Sequence, residues 1–262
     1  MSGSNDGPMA SEGAPMAPGE WPNDDRAGAR RPLAAAPRRR RARGTEAAAR
    51  ARLMVAAERS FAEQGFAAVS TRALARQARV TLSAIAYHFG GKEGLYRAVV
   101  GGLIADTEPL IGPAVARLEA GVVAAGGDRA ALARLTAAFV RGLVTEVLTN
   151  PRMRAQMTLM LREFHKPSAV FATLLAERID PLHDAVCRLI GAAQGVPETT
   201  PTTRLLAATV VAQCMAPGAA RAVLFARLGW DRYTAERVRL VADVIAGAVI
   251  AMLGLPPGAD QG

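Results

Sequence analysis

The stretch Ser70–Glu93, STRALARQARVTLSAIAYHFGGKE, places the tightest limit on how this chain folds. Its apolar residues come in two short clusters, Leu74 with Ala75 and then Ile85 with Phe89. Ser70 or Thr71 is suited to cap a helix over 72–78, and Thr81 a helix over 82–88. Val80 closes the turn between them. Gly90-Gly91 then breaks the chain, and Lys92 opens a further helix through Leu95, Val99 and Leu103. Upstream, Leu53, Ala56, Ala57, Ser60 and Phe61 recur at i, i+3, i+4, i+7 and i+8, the stripe of an amphipathic helix. That helix is expected from an N-cap at Thr45 to about Gln64, with Gly65 as its left-handed stop. Phe66 and Val69 then turn back onto the core. Two short helices joined by a tight turn and backed by longer ones make a helix-turn-helix over about 70–89, whose second helix is built to enter a DNA major groove.

The remainder reads as helices as well. Half of the residues are apolar, aromatics make up 5%, and alternating β-branched runs with hairpin dipeptides are absent. Helices are expected over 109–125, 129–148, 151–164, 168–193, 205–228 and 234–253. Asn150 with Pro151 starts one of them. Pro181 is expected to kink another, and Pro217-Gly218 to interrupt a third. The expected fold is therefore all-α. A helix-turn-helix domain over 45–105 is followed by a helical ligand-binding and dimerisation domain over 106–254 and a frayed end at 255–262.

The formal net charge is +9. Residues 1–44 hold eight arginines against five acidic groups, and residues 45–97 hold eight basic against four acidic groups. A basic front on a near-neutral body suits a polyanionic partner, although solvated arginine gives the same count. Residues 1–44, rich in Gly, Pro and Ala, are expected to be a disordered tail. Arg38–Arg41 and Arg43 at its end form a basic arm able to follow DNA phosphates or to be merely solvated. Cys187 and Cys214 stand in apolar runs with no metal-type spacing, as buried or free thiols of a reducing cytoplasm do. The N-terminus lacks the pattern of a signal peptide. The run 244–255 is too short to cross a bilayer, so no membrane partner is expected.

What the central stretch offers DNA is specific. Thr71, at a helix start, is placed to take a phosphate with its hydroxyl and the free amides beside it. Arg72 points away from Leu74 and Ala75 and can present its fork to a guanine edge. Thr81 begins the reading helix. Ser83, Ala84, Tyr87 and His88 lie off the Ile85–Phe89 face, mostly small or polar as groove approach requires. Lys92, at the next helix start, is a second phosphate clamp. Singly, each of these is as ordinary as a solvated charge or a packing ring. The joint spacing carries the reading.

The residues AAERSFAEQGFAAVSTRALARQA (Ala56–Ala78), Ile85, Tyr87-His88-Phe89 and Lys92-Glu93 with Leu95 resemble the DNA-binding domain of TetR/AcrR-family transcriptional regulators. The resemblance implies base contact by Arg72, phosphate contact by Thr71 and Lys92, and groove contact by Ser83, Ala84, Tyr87 and His88. Arg79 departs from the glycine usual in the turn, and Leu82 and Ala86 replace polar or aromatic positions. Three further segments, LREFHKPSAVF (Leu161–Phe171), IDPLHDAV (Ile179–Val186) and RAVLFARLGWDRY (Arg221–Tyr233), resemble the C-terminal domain of CecR-like regulators. The family relation implies a homodimer through the helices at 205–228 and 234–253, a double-stranded palindromic operator, and a small-molecule effector that releases a repressor. Ordinary intrachain core is the other use for those two apolar helices.

Met153, Met157 and Met160 recur at helical spacing, as an adaptable pocket wall or as plain core. Phe139, Arg162, Phe164 and Phe171 are candidates to join such a pocket. His165 and His183 lack partners at ligand spacing, so neither metal nor cofactor is expected. GxSxG, phosphate-loop, HExxH and paired-carboxylate patterns are absent, which argues against an enzyme. A nucleic-acid-binding architectural protein, acting through its basic arm without a fixed operator, is the competing function.

Overall fold

The computed structural model describes residues 36–257, with side chains from Thr45 onward. Residues 1–35 of the tail expected over 1–44, and the residues after 257, lie outside the described residues. Among the described residues every regular element is helical.

Helix α1 spans Ala36–Ala68 and is broken at Gly65, where φ is 79° and ψ is 165°. The expected start at Thr45 is therefore corrected. The backbone is helical from Ala36, through a run of alanine and arginine, both strong helix formers, with Pro37 in the first turn where its missing N–H costs little. Helices α2 (Thr71–Ala78) and α3 (Leu82–Phe89) follow the boundaries read from their caps to within one residue. They close on α1 and on the start of α4 over a core of Leu53, Phe61, Leu74, Ile85 and Leu95, each essentially without exposed surface.

Helix α4 is one rod, Lys92–Ala125. The separate helix expected from Pro109 does not begin there, because Pro109 and Pro113 both lie inside the helix. Its buried residues run on without a gap in phase. Leu95 to Ile104 belong to the first core, whereas Ile111 and Leu118 belong to the second. Between them Thr107 is buried, its one hydroxyl proton within reach of the carbonyls of Leu103 (2.9 Å) and Ile104 (3.1 Å) and of Gln156 Oε1 (3.2 Å). Burial on both sides of the prolines outweighs the loss of two helix hydrogen bonds. By length and composition α4 would suffice to cross a bilayer, as would the bent pair Pro201–Ala219 and Arg221–Leu228 if joined, contrary to the sequence expectation. In this fold α4 serves as the spine shared by two cores.

The second core is built by α5 (Arg129–Thr149), α8 (Asp180–Gln194), α9 (Pro201–Ala219) and α11 (Ala235–Met252), with α6 (Pro151–His165) along one side. Both cysteines are buried in it as free thiols. Burial pushes the Cys214 thiol up to about 12. Asp128, Asn150, Thr200 and Thr234 cap their helices through their side chains. Thr200 with Pro201 therefore starts α9 four residues before the expected Leu205.

Two further expectations change. The helix predicted to run from Ser168 starts only at α7, Phe171–Leu174, because the Ser168 amide and hydroxyl both donate to Glu163, at 2.9 and 3.0 Å. A π turn, Leu175–Ile179, then leads into α8. Pro181 sits in the first turn of α8, where its ring replaces an unneeded donor, so the predicted kink is a π turn instead. The interruption expected at Pro217-Gly218 falls at Ala220, where α9 gives way to α10 (Arg221–Leu228) with a bend of 66°.

Candidate nucleic-acid interface

Local contacts fix α2 and α3 against α1. Ser70 is the cap of α2, accepting from the Ala73 amide at 3.1 Å, so Thr71 is the first helical residue. Arg52 of α1 donates from Nε to the Ala78 carbonyl at the other end of α2 (3.0 Å), and the Ser60 hydroxyl donates to Gln77 Oε1 (2.9 Å). The Arg50 guanidinium lies 5.2 Å from the centre of the Phe89 ring. The turn between α2 and α3 is a Schellman motif: the Val80 amide reaches back to the Ala75 carbonyl, and Arg79 sits left-handed at φ 54°. Arg79 is the one non-glycine with positive φ among the described residues.

The outward face differs in part from the sequence reading. Arg72 is exposed and Thr71 half-buried. Thr81 caps α3 without a side-chain bond to the backbone, its hydroxyl lying 3.0 Å from that of Ser83. On α3 the residues turned outward are Leu82 (48% exposed), Ser83, Ala86 and Tyr87 (73%). Ala84 and His88 are half-buried. Ala84 packs on the core, and His88 stands between the Tyr87 and Phe89 rings, at 4.9 and 6.2 Å. Helix geometry explains this, since Ala84–His88 and Ile85–Phe89 are adjacent i, i+4 rows, and a half-buried row flanks every buried one. Leu82 and Ala86, read from the sequence as departures, are thus part of the outward face.

Lys92 begins α4 after Gly91 and is half-buried. Its ammonium is 4.6 Å from the Phe66 ring centre and donates to the Ala67 carbonyl at 3.4 Å. The cation is therefore held against the end of α1, at Phe66 and Ala67. A Cβ at Gly94 would run into the Phe89 carbonyl, so α4 approaches the end of α3 as closely as only glycine allows.

A second set of contacts ties this head to α6. Arg162 donates from Nε to the Ala62 carbonyl (3.0 Å) and from Nη2 to the Glu63 carbonyl (2.6 Å), satisfying acceptors that the break at Gly65 leaves open. Any side chain at Gly65 would crowd Arg162 Nη1. Next to it Glu163, with 2% exposure, accepts from the Tyr96 hydroxyl at 2.7 Å. Burial first, and then that bond, push the Tyr96 phenol well above its usual range.

Three cavities are relevant. One of about 390 Å³ lies between α6, α8 and α9 and is almost wholly apolar, and Met153, Met157, Met160 and Phe164 line it. Gln156, Arg178 and Met215 also line it. Gln156 was legible on the same helical face as the methionines. Arg178 was not, since the π turn sets the direction of its side chain. A groove of about 980 Å³, where α6 meets the end of α1, shares Met157, Leu161 and Ala219 with this cavity and contains Arg162. Phe139 lines a separate cavity of about 350 Å³ beside α4, and Phe171 lines none of the three. The seven expected pocket residues therefore do not form one pocket. Among the described residues no three His, Cys, Asp or Glu side chains gather as a metal site requires.

Residues 53–99 match the family described as bacterial regulatory proteins, tetR family, and residues 132–255 match the C-terminal domain of the HTH-type transcriptional dual regulator CecR. The chain is a TetR-family transcriptional regulator of the CecR-like type. It is 27% identical over 197 residues to the HTH-type transcriptional dual regulator CecR of Shigella flexneri, covering 75% of this chain and 87% of that protein. Among solved structures it aligns with SmeT, the repressor of the Stenotrophomonas maltophilia multidrug efflux pump SmeDEF, at 18% identity and a TM-score of 0.46, over 78% of this chain and 89% of SmeT. A transcriptional regulator from a Rhodococcus species aligns at 22% identity and a TM-score of 0.46, over 78% and 96% of the two chains. Likeness at that level carries no weight beside the two family matches. TetR-family proteins are DNA-binding regulators of the cytoplasm and not enzymes.

Proposed function

We propose that this TetR-family regulator is a homodimeric repressor, nucleoid-associated when bound, and released from a palindromic operator by a small apolar effector. The observation that carries the reading is the surface between the starts of α2 and α4. There an exposed Arg72 and a held Lys92 flank an outward row of Leu82, Ser83, Ala86 and Tyr87. Arg72 reads a base, the first-turn amides at Thr71 and Lys92 take phosphates, and the row lies over the groove floor. Thr81 and Ser83 place hydroxyls at the start of the reading helix. His88 and Ala84, being half-buried, position Tyr87 and the helix axis.

Leu205 of α9, Val223 and Leu228 of α10, and Leu240 and Val244 of α11 are at least half exposed. Apolar residues gathered on consecutive elements suit a self-complementary two-fold contact. The cavity beside α6 supports effector binding, since α6 carries both the cavity wall and Arg162, which holds the end of α1. A ligand that shifts α6 shifts the reading head.

Footprinting on the DNA upstream of its own gene tests the proposal. A protected palindrome of two half-sites is expected. Arg72→Ala should relax selectivity at one position per half-site by about 1–3 kcal/mol. Lys92→Ala should weaken all sequences and lower the salt slope. Leu240→Glu with Val244→Glu should give a monomer with weak operator binding. Protection without sequence preference, lost when residues 1–44 are removed, would favour the architectural alternative.

A further inference from the structure

The cavity between α6, α8 and α9 holds a charge that its apolar wall does not explain. Arg178 lines it with only 5% of its surface exposed. Its Nη1 has no hydrogen-bond partner, and its Nη2 meets only the Met153 thioether, at 3.6 Å. The nearest carboxylate is that of Glu108, 3.9 Å from Nη1, too far for a hydrogen bond and 58% exposed, hence screened by solvent. A guanidinium can donate five hydrogen bonds, and burial without them is costly. Gln156, on the same wall and 3% exposed, spends one amide atom on the Thr107 hydroxyl at 3.2 Å and leaves Nε2 without a partner. With Oε1 accepting from that hydroxyl, the open atom is the donor Nε2. The remaining polar side chain on the wall, His183, is engaged with the Arg204 carbonyl at 2.9 Å and lies 3.7 Å from the Cys187 thiol.

We infer that the effector of this regulator is an apolar molecule bearing a single carboxylate, which pairs with Arg178 and accepts from Gln156 while its body fills the methionine-lined cavity. The inference rests on the proposed effector role of this cavity and specifies the ligand's chemistry. A carboxylate matches the planar fork of a guanidinium, whereas a cationic ligand would meet a like charge in an almost wholly apolar site. A neutral apolar ligand would leave both donors open. Burial already presses the Arg178 guanidinium down to about 10, still well above neutrality, so the group remains a cation when a ligand arrives.

Calorimetric titration of the full chain with decanoate, decanol and decylamine tests this, with Ala212→Trp as a variant that fills the cavity. The expected result is decanoate binding at least tenfold tighter than decanol, with decylamine weakest. All cavity-dependent binding should be lost in Ala212→Trp. Arg178→Met should bring decanoate down to the level of decanol without weakening decanol. If that variant does not fold, the ranking on the native chain decides. Decanol or decylamine binding as tightly as decanoate, in a manner abolished by Ala212→Trp, would overturn the carboxylate inference while leaving the effector site standing. Failure of all three to bind in a cavity-dependent way would overturn the effector reading of the cavity, and the inference with it.

Discussion

Arg79 holds a backbone conformation that glycine adopts without cost and arginine does not. The left-handed region disfavours a Cβ by roughly 1–2 kcal/mol, part of which glycine gives back through its freer unfolded chain. Arg79→Gly should therefore stabilise the protein by about 0.5–1 kcal/mol in urea unfolding. The variant also removes an exposed cation from the turn before α3. Operator affinity should fall in the same variant if that charge meets a phosphate, so the two measurements move in opposite directions. The departure from the family glycine was visible in the sequence. The Arg52 bond to the Ala78 carbonyl was not, since it joins residues 26 positions apart. The same limit hid Arg178: nothing local in FATLLAERID shows which way a side chain faces once a π turn intervenes. What the residues did reveal was periodic or capped, namely the α1 stripe, the α2 and α3 starts, and Asn150 with Pro151.

At the scale of elements, α6 touches both the cavity and the head. One of its faces lines the cavity, and its Arg162 clasps carbonyls at the end of α1. Arg162→Met keeps the aliphatic stem and removes both bonds. Hydrogen exchange in the last turn of α1 should quicken, and stability should fall by about 1–3 kcal/mol. Operator affinity in that variant should respond less to any ligand of the cavity than in the native protein. An unchanged ligand response would show that the head is moved by another route, with the buried Tyr96–Glu163 bond the next to examine. Element boundaries were least legible where tertiary burial overrode local chemistry. Two prolines inside α4 read locally as a stop, and only the two cores flanking them explain why the helix continues.

For the molecule as a whole, alkaline pH is a probe of the core. The Cys214 thiol ionises near its ordinary 9 in the unfolded chain and at about 12 when folded. A group whose folded pKa is raised gives its full stability below the unfolded value and loses it as pH rises through the folded one. Between pH 9 and 12 this thiol should therefore cost about 1.4 kcal/mol of stability per pH unit. Tyr96 is shifted in the same direction and adds to the slope above its ordinary 10. Cys214→Ala should flatten the decline from pH 9 upward, measured as urea midpoints across that range. A midpoint profile identical to the native one would mean the thiol is not sealed in the folded state.

Helix α4 also sets a rule for anyone grafting this reading head onto another effector domain. It runs unbroken through 34 residues from the end of the helix-turn-helix to the far end of the second core, roughly 50 Å of rod. No loop separates the two parts at its middle, so a hybrid must be spliced inside a helix, between Ile104 and Ile111. Such a splice has an angular register. One residue too many turns the head by about 100° relative to the body, whereas seven nearly restore it. Hybrids should therefore work or fail with the period of the helix, as a pair of gears meshes only at certain teeth.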